Sequence, residues 1–169
     1  MESGRVALQG SLVPALCIFR RVVPSCFETQ ERKMKELEEG TTLALDFTKI
    51  AKIAARCPDV IPVAVQNADT KEIILVAYTN ELAMKKAIAE RTAIFWSTSR
   101  NELWEKGKTS GETFDLLEVR VNCEQNSLVY IVRPRRGGIC HTKNAAGQPR
   151  NCYYRKIDFE TGALVNLDP

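Results

Sequence analysis

The chain has 169 residues, a formal net charge of +3, and 44% hydrophobic against 27% charged side chains. That is the size and make-up of one soluble globular domain; it excludes a disordered chain, leaves little room for a second catalytic module, and argues only weakly for nucleic acid as a partner. The longest apolar run, Val13 to Phe19, falls far short of the ~20 residues that cross a bilayer, so no membrane is expected. Six cysteines stand against a single histidine, His141. A core this apolar needs no disulfide staples and no clear signal peptide leads the chain. Cys17, Cys26, Cys57, Cys123, Cys140 and Cys152 therefore read as reduced thiols of a cytoplasmic protein, some buried and others metal ligands.

Residues 1–33 make a poor helix and a poor strand and read as a disordered extension, with 34–169 as the domain. Asp46 predicts an N-cap for a helix through Arg56, with Phe47, Ile50, Ala51 and Ala54 at helical spacing and Pro58 ending it. Val60–Gln66 and Ile73–Tyr78 are β-rich runs joined by a polar stretch, which predicts a hairpin. Asn80 then caps a helix through Glu90 that presents Leu82, Ala83, Ala87 and Ile88 on one face. Ala93–Thr98, Phe114–Val121 and Ser127–Val132 bring the expected strands to about five. Strand runs with few helices predict an α+β fold around a mixed or antiparallel sheet.

Arg133, Arg135, Arg136, Lys143, Arg150, Arg155 and Lys156 form a basic run without an acidic residue among them. It reads either as a solvated surface or as a phosphate-attracting pocket. Within the same region lie Cys140, His141 and Cys152, with sixteen residues between Cys123 and Cys140 and eleven between Cys140 and Cys152. Thiolates and imidazole are zinc's preferred ligands, but no C-x-x-C knuckle is present, and spacing leaves both zinc and buried thiols open. Neighbouring side chains of an extended segment alternate in direction, which favours the three cysteines as ligands and leaves His141 for proton transfer.

The ordered elements Trp96-Ser97-x-Ser99-Arg100, Trp104-x-Lys106-Gly107-x-Thr109-Ser110-Gly111, Gly137-Gly138-x-Cys140-His141-Thr142 and Cys152-Tyr153-Tyr154-Arg155 carry a resemblance to the phosphoribosyl-AMP cyclohydrolase family of histidine biosynthesis. The resemblance runs from about Val60 to Arg155. It implies a hydrolase that opens the purine ring of 1-(5-phosphoribosyl)-AMP at N1–C6. It also implies an intertwined homodimer whose zinc site draws three cysteines from both subunits, with a magnesium site beside it. By motif position Cys123, Cys140 and Cys152 are the implied zinc ligands, His141 the general base, and Trp96, Ser99, Arg100, Trp104, Lys106, Thr109 and Ser110 the substrate-binding residues for a phosphorylated nucleotide. The family's three magnesium-binding aspartates are here Asn122, Glu124 and Asn126, and one carboxylate with two amides is a weak set for Mg²⁺. Lys143–Asn151 reads as an insertion of about five residues, whose closure costs little entropy. Glu112 stands where the family tends to have His or Asn. Two other readings stay open: a non-catalytic zinc-binding module, and a cyclohydrolase or deaminase of another purine-like nucleotide.

Overall fold

A computed structural model describes residues 26–169 of the chain. The contacts divide it into a unit ending at Glu39 and a second unit, Gly40–Pro169. The first contributes helix α1, Cys26–Glu39, on which Phe27, Met34 and Leu37 are exposed. The expected boundary after residue 33 thus falls inside a helix, while residues 1–25, with Cys17, lie outside the described residues.

The second unit starts with α2, Lys49–Ala54, shorter than the expected helix from Asp46 to Arg56. Asp46 does not cap it: its Oδ1 accepts bonds from the backbone N–H and hydroxyl of Thr48, closing a turn ahead of a Thr48 cap that makes no side-chain bond. The face is different as well. Ile53 is the buried residue, and Phe47 and Ile50 stand in solvent.

The expected hairpin is present as β1, Ile61–Asn67, paired antiparallel with β2, Ile73–Thr79. Asn80 caps α3, Glu81–Glu90, by accepting from the Ala83 N–H at 2.9 Å, a bond that contributes ~1 kcal/mol. Arg91 ends α3 in the left-handed region. Ala83 and Ala87 are the buried contacts of α3, whereas Leu82 and Ile88, expected on the same face, are exposed. Small side chains let the helix approach β3, Ile94–Ser97.

β3 pairs with β4, Glu102–Glu105, as a separate two-stranded ribbon. β5, Phe114–Val121, and β6, Leu128–Pro134, return to the main sheet, which has four strands in the order β2-β1-β6-β5. It is mixed, because β1 and β6 run parallel while both outer pairs are antiparallel. A last ribbon joins β7, Arg155–Ile157, to β8, Leu164–Asn166. The expectation of about five strands in one sheet is therefore corrected to four in the main sheet, with two ribbons besides. β4, β7 and β8 are short segments of the kind that pattern reading misses.

Period-two alternation sends Val63 and Val65 of β1 to one face, opposite Ala77 and Leu75 of β2 and Leu128 and Tyr130 of β6. Phe95 stacks on Tyr130, with ring centroids 5.6 Å apart, and Trp104 lies 5.4 Å from Phe95. This aromatic stack joins the β3–β4 ribbon to the main sheet. One side of a functional cleft is fixed in this way.

Candidate active site

The cleft, of about 680 Å³, opens between β4, the loop that follows it, and the segments around Cys140 and Cys152. That is an ordinary size for a small-molecule site. Leu75 and Val76 of the edge strand β2 form an apolar part of the wall, together with Leu103 and Ile139. Arg100, Lys106 and Lys108 supply positive charge, with Glu102 and Glu105 between them. Thr109 and Ser110 supply hydroxyls, and Cys140, His141 and Cys152 close the remaining side.

The loop after β4 is shaped by glycine and by Glu112. Gly107 has φ +80°, and a Cβ there would lie 2.1 Å from the backbone of Glu112, so the turn admits no side chain. Glu112 in turn accepts from the Gly138 N–H at 2.9 Å, and a Cβ on Gly138 would strike its carboxyl group at 2.4 Å. Glu112 thus fastens the hydroxyl-bearing loop to the segment leading into Cys140. The sequence marked it only as an unusual residue. The signal available was the Gly137-Gly138 pair, a place where another group can approach the backbone closely.

Lys106 donates to the Glu112 carbonyl at 3.4 Å, and its ammonium lies 4.8 Å from the centre of the Phe114 ring. Burial holds Lys106 below its ordinary pKa, while the Cys152, Glu112 and Cys140 sites act in the opposite direction. Its charge is therefore felt at the thiols. Cys140 and Cys152 both line the cleft, near enough for the Cys140 thiol to act on the titration of Cys152. Desolvation by the surrounding atoms, then the Cys140 thiol, push Cys152 up to about 12, although the residue keeps a solvent-exposed side. The Thr142 hydroxyl donates to Cys140 Sγ at 3.3 Å, and His141 Nδ1 lies 3.8 Å from the same sulfur. Thr142 is a contributor that sequence reading passed over, though it sits in the Cys-His-Thr element.

Of the residues expected to bind substrate, Arg100, Trp104, Lys106, Thr109 and Ser110 line the cleft. Trp96 and Ser99 do not: the Trp96 indole donates to Asn101 at 3.0 Å, and Ser99 meets Ser97 at 3.3 Å. Cys57, buried three residues beyond the end of α2, has its thiol 3.1 Å from the same Asn101 oxygen. Several members of the basic run are engaged by other side chains, while the Arg136 guanidinium lies beside Gly111 of the hydroxyl-bearing loop. Arg133 pairs with Asp69 and Arg135 with Asp115, while Arg150 and Arg155 face the Tyr154 ring. Sequence distance hid these acidic partners.

Cys123 is elsewhere. It lies in the turn between β5 and β6, whereas the Cys152 N–H donates to Ile74 on the edge strand β2. Ile74 falls at the β1–β2 bulge, between the levels of Tyr130 and Ile131 of β6 and so two to three residues beyond Leu128, where that turn ends. The offsets are roughly 10 Å along the strands and roughly 10 Å or more across them, far beyond a Zn–S distance of ~2.3 Å. Accordingly, no group of three His, Cys, Asp or Glu side chains converges among the described residues.

The same turn carries Asn122, Glu124 and Asn126. Asn122 Oδ1 accepts from the backbone N–H groups of Asn126 and Ser127, both at 3.0 Å, so its amide N–H faces outward and donates to Asn126 Oδ1 at 2.8 Å. Asn126 Nδ2 donates to Glu124 at 2.9 Å. These oxygens are engaged by N–H donors, and only one carboxylate is present. The set does not fit Mg²⁺, a cation that wants anionic oxygen ligands.

A small α+β chain with a thiol pair and an imidazole at the mouth of a basic, hydroxyl-lined cleft has the makings of a metal-assisted hydrolase. Comparison with known proteins narrows the class. The family model for phosphoribosyl-AMP cyclohydrolase matches residues 75–154, the span from the apolar cleft wall to Tyr154. A phosphoribosyl-AMP cyclohydrolase of Caulobacter vibrioides is 41% identical over 140 residues, covering 82% of this chain and 90% of the relative. That of Archaeoglobus fulgidus is 40% identical over 98 residues, covering 58% and 85%. A histidine biosynthesis bifunctional protein of Aquifex aeolicus is 40% identical over 98 residues, which is 58% of this chain and 45% of that protein. The chain belongs to the phosphoribosyl-AMP cyclohydrolase family.

Proposed function

We propose that the protein hydrolyses 1-(5-phosphoribosyl)-AMP, opening the purine ring at N1–C6 as a step of histidine biosynthesis. Beyond family membership, one observation carries this reading: the Cys140–Cys152 thiol pair and His141 share a cleft with Arg100, Lys106, Thr109 and Ser110. The cations and hydroxyls suit the phosphate and ribose groups of such a substrate. Trp104, packed on Phe95, gives the cleft a rigid aromatic margin.

Cys140 and Cys152 fit two zinc ligands, and Cys123 of the partner subunit would be the third, because the chain's own Cys123 is out of reach. When bound, zinc would supply Lewis-acid activation of a water, lowering its pKa toward ~7. His141, beside Cys140, would accept the proton released as water adds to C6 and relay it as the C6–N1 bond breaks. Lys106 would hold negative charge near the thiols and the phosphate. A homodimer is further supported by the apolar side chains of Val76, Leu117 and Val121 left exposed along the sheet. Unpaired thiols suit a cytoplasmic setting, and among the described residues no helix is long and apolar enough to cross a membrane.

The test is an ultraviolet assay on phosphoribosyl-AMP with zinc content measured on the same preparation, with and without Mg²⁺. Turnover with about one zinc per chain is expected. Zinc without turnover would mean a non-catalytic module, and turnover only of a different purine nucleotide would mean a diverged enzyme.

A further inference from the structure

The insertion between the two cleft cysteines is a built structure. Its ends are joined by bonds from the Cys140 N–H to the Arg150 carbonyl at 2.9 Å and from the Arg150 N–H to the Thr142 carbonyl at 3.1 Å. Its tip is closed by Asn144, whose side chain accepts from the Gln148 N–H at 2.8 Å. Arg150 is only 4% exposed, an uncommon place for a guanidinium unless something holds it. Its Nε donates to the Asp168 carbonyl at 2.7 Å, and its head lies 4.6 Å from the centre of the Tyr154 ring. The segment 166–169 makes further bonds to the same region. The Leu167 N–H donates to the Tyr154 carbonyl at 2.8 Å, the Asn144 amide donates to the Asp168 carboxylate at 2.9 Å, and the Ala145 N–H donates to the Pro169 carbonyl at 3.1 Å.

Cys152 is thus gripped two residues before and two residues after its own position by one segment, and Cys140 is tied by its backbone to the same arginine. We propose that Arg150, clamped by residues 166–169, is a positioning residue that sets the Cys140–Cys152 thiol pair for a shared thiophilic ligand. A long loop would otherwise let the two sulfurs separate, and the clamp removes that freedom before the ligand arrives. The proposal rests on the zinc reading only for the ligand's identity; the geometry of the pair stands apart from it.

Phenylarsine oxide tests the pair without zinc, since it closes on two adjacent thiols and loses water in doing so. Metal-free protein is titrated with it, and zinc retention is followed in parallel against a competing chelator. The wild type should capture the arsenical, and Cys140→Ser should abolish the capture. Arg150→Met keeps the apolar stem, and deletion of Asp168 and Pro169 removes the carbonyl that holds Arg150 and both bonds to the insertion, leaving only the Leu167–Tyr154 bond of the clamp. Each should weaken both readouts about tenfold or more with an unchanged circular dichroism spectrum, the scale seen when a supporting contact to a metal ligand is lost. Should Arg150→Met unfold, the deletion decides. Wild-type capture by the folded variants, or capture that survives Cys140→Ser, overturns the proposal. Arsenical capture that needs the clamp in a protein that takes no zinc would sink the zinc reading and leave the clamp standing.

Discussion

Cys152 sets the terms at the scale of single residues. Crowding and the Cys140 thiol raise it to about 12, above its ordinary value, so it is protonated throughout the neutral range. A cation can be held there only as the proton leaves, which makes binding stronger as pH rises. Adding Zn²⁺ to weakly buffered metal-free protein should therefore release protons, seen with an indicator dye, and retention against a chelator should fall steadily on acidification. Retention that is flat with pH would mean that the thiols are not the ligands. His141 plays a different part, adjacent to the cleft sulfur yet outside the proposed ligand set. His141→Ala should keep its zinc and lose roughly 10²–10⁴-fold in kcat, the range for removing a general acid–base group. Loss of zinc along with activity would make the imidazole a ligand, and unchanged activity would remove it from the mechanism.

At the scale of elements, the β5–β6 turn shows a side-chain network standing where relatives are expected to use a cation. Asn122 satisfies two backbone N–H groups in a largely exposed turn, so Asn122→Ala should cost about 1 kcal/mol, the net value of an ordinary hydrogen bond where water can take over the donors. Millimolar Mg²⁺ should leave the melting temperature of the wild type unchanged. The pair Asn122→Asp with Asn126→Asp should melt lower, through repulsion with Glu124, and regain the loss when Mg²⁺ is added. A wild type stabilised by Mg²⁺ would show that the amides do not exclude it. Elements built from local chemistry were legible from the chain alone: Asn80 as a cap, the β1–β2 hairpin, and β5 and β6 as alternating runs. What escaped depended on contacts remote in sequence. Asp46 has the composition of a cap but spends its oxygen on Thr48, and the buried face of α3 is decided by what β3 brings to it. The parallel pairing of β1 with β6 has no local signature at all. Within the site, resemblance to a family picked out the cysteines and the basic cleft residues, while spacing alone left the thiols ambiguous. The Glu112–Gly138 contact depends on loop geometry that neither could supply.

At the scale of the whole molecule, the position of Cys123 is the decisive fact, because it leaves the proposed zinc site incomplete within a single chain. A closed pair with exchanged elements would give two sites, each taking Cys123 from one subunit and Cys140 with Cys152 from the other. Such an arrangement has a signature that no single-chain site can imitate. Cys123→Ala and Cys140→Ala, each inactive alone, would form a mixed dimer in which one site carries both lesions and the other carries none. If the subunits reassort at random after co-expression, half the dimers are mixed and each has one intact site of two, so activity should recover to roughly a quarter of wild type. Zinc content at the restored sites should rise in step with activity, which separates repaired chemistry from a general gain in stability. Assay of the tagged mixed dimer alone should give about half the wild-type rate per dimer on the same two-site logic. A mixture that stays inactive although the tagged mixed dimer is recovered would place all the ligands within one chain, and Cys123 would then have to reach the cleft by a rearrangement of the β5–β6 turn.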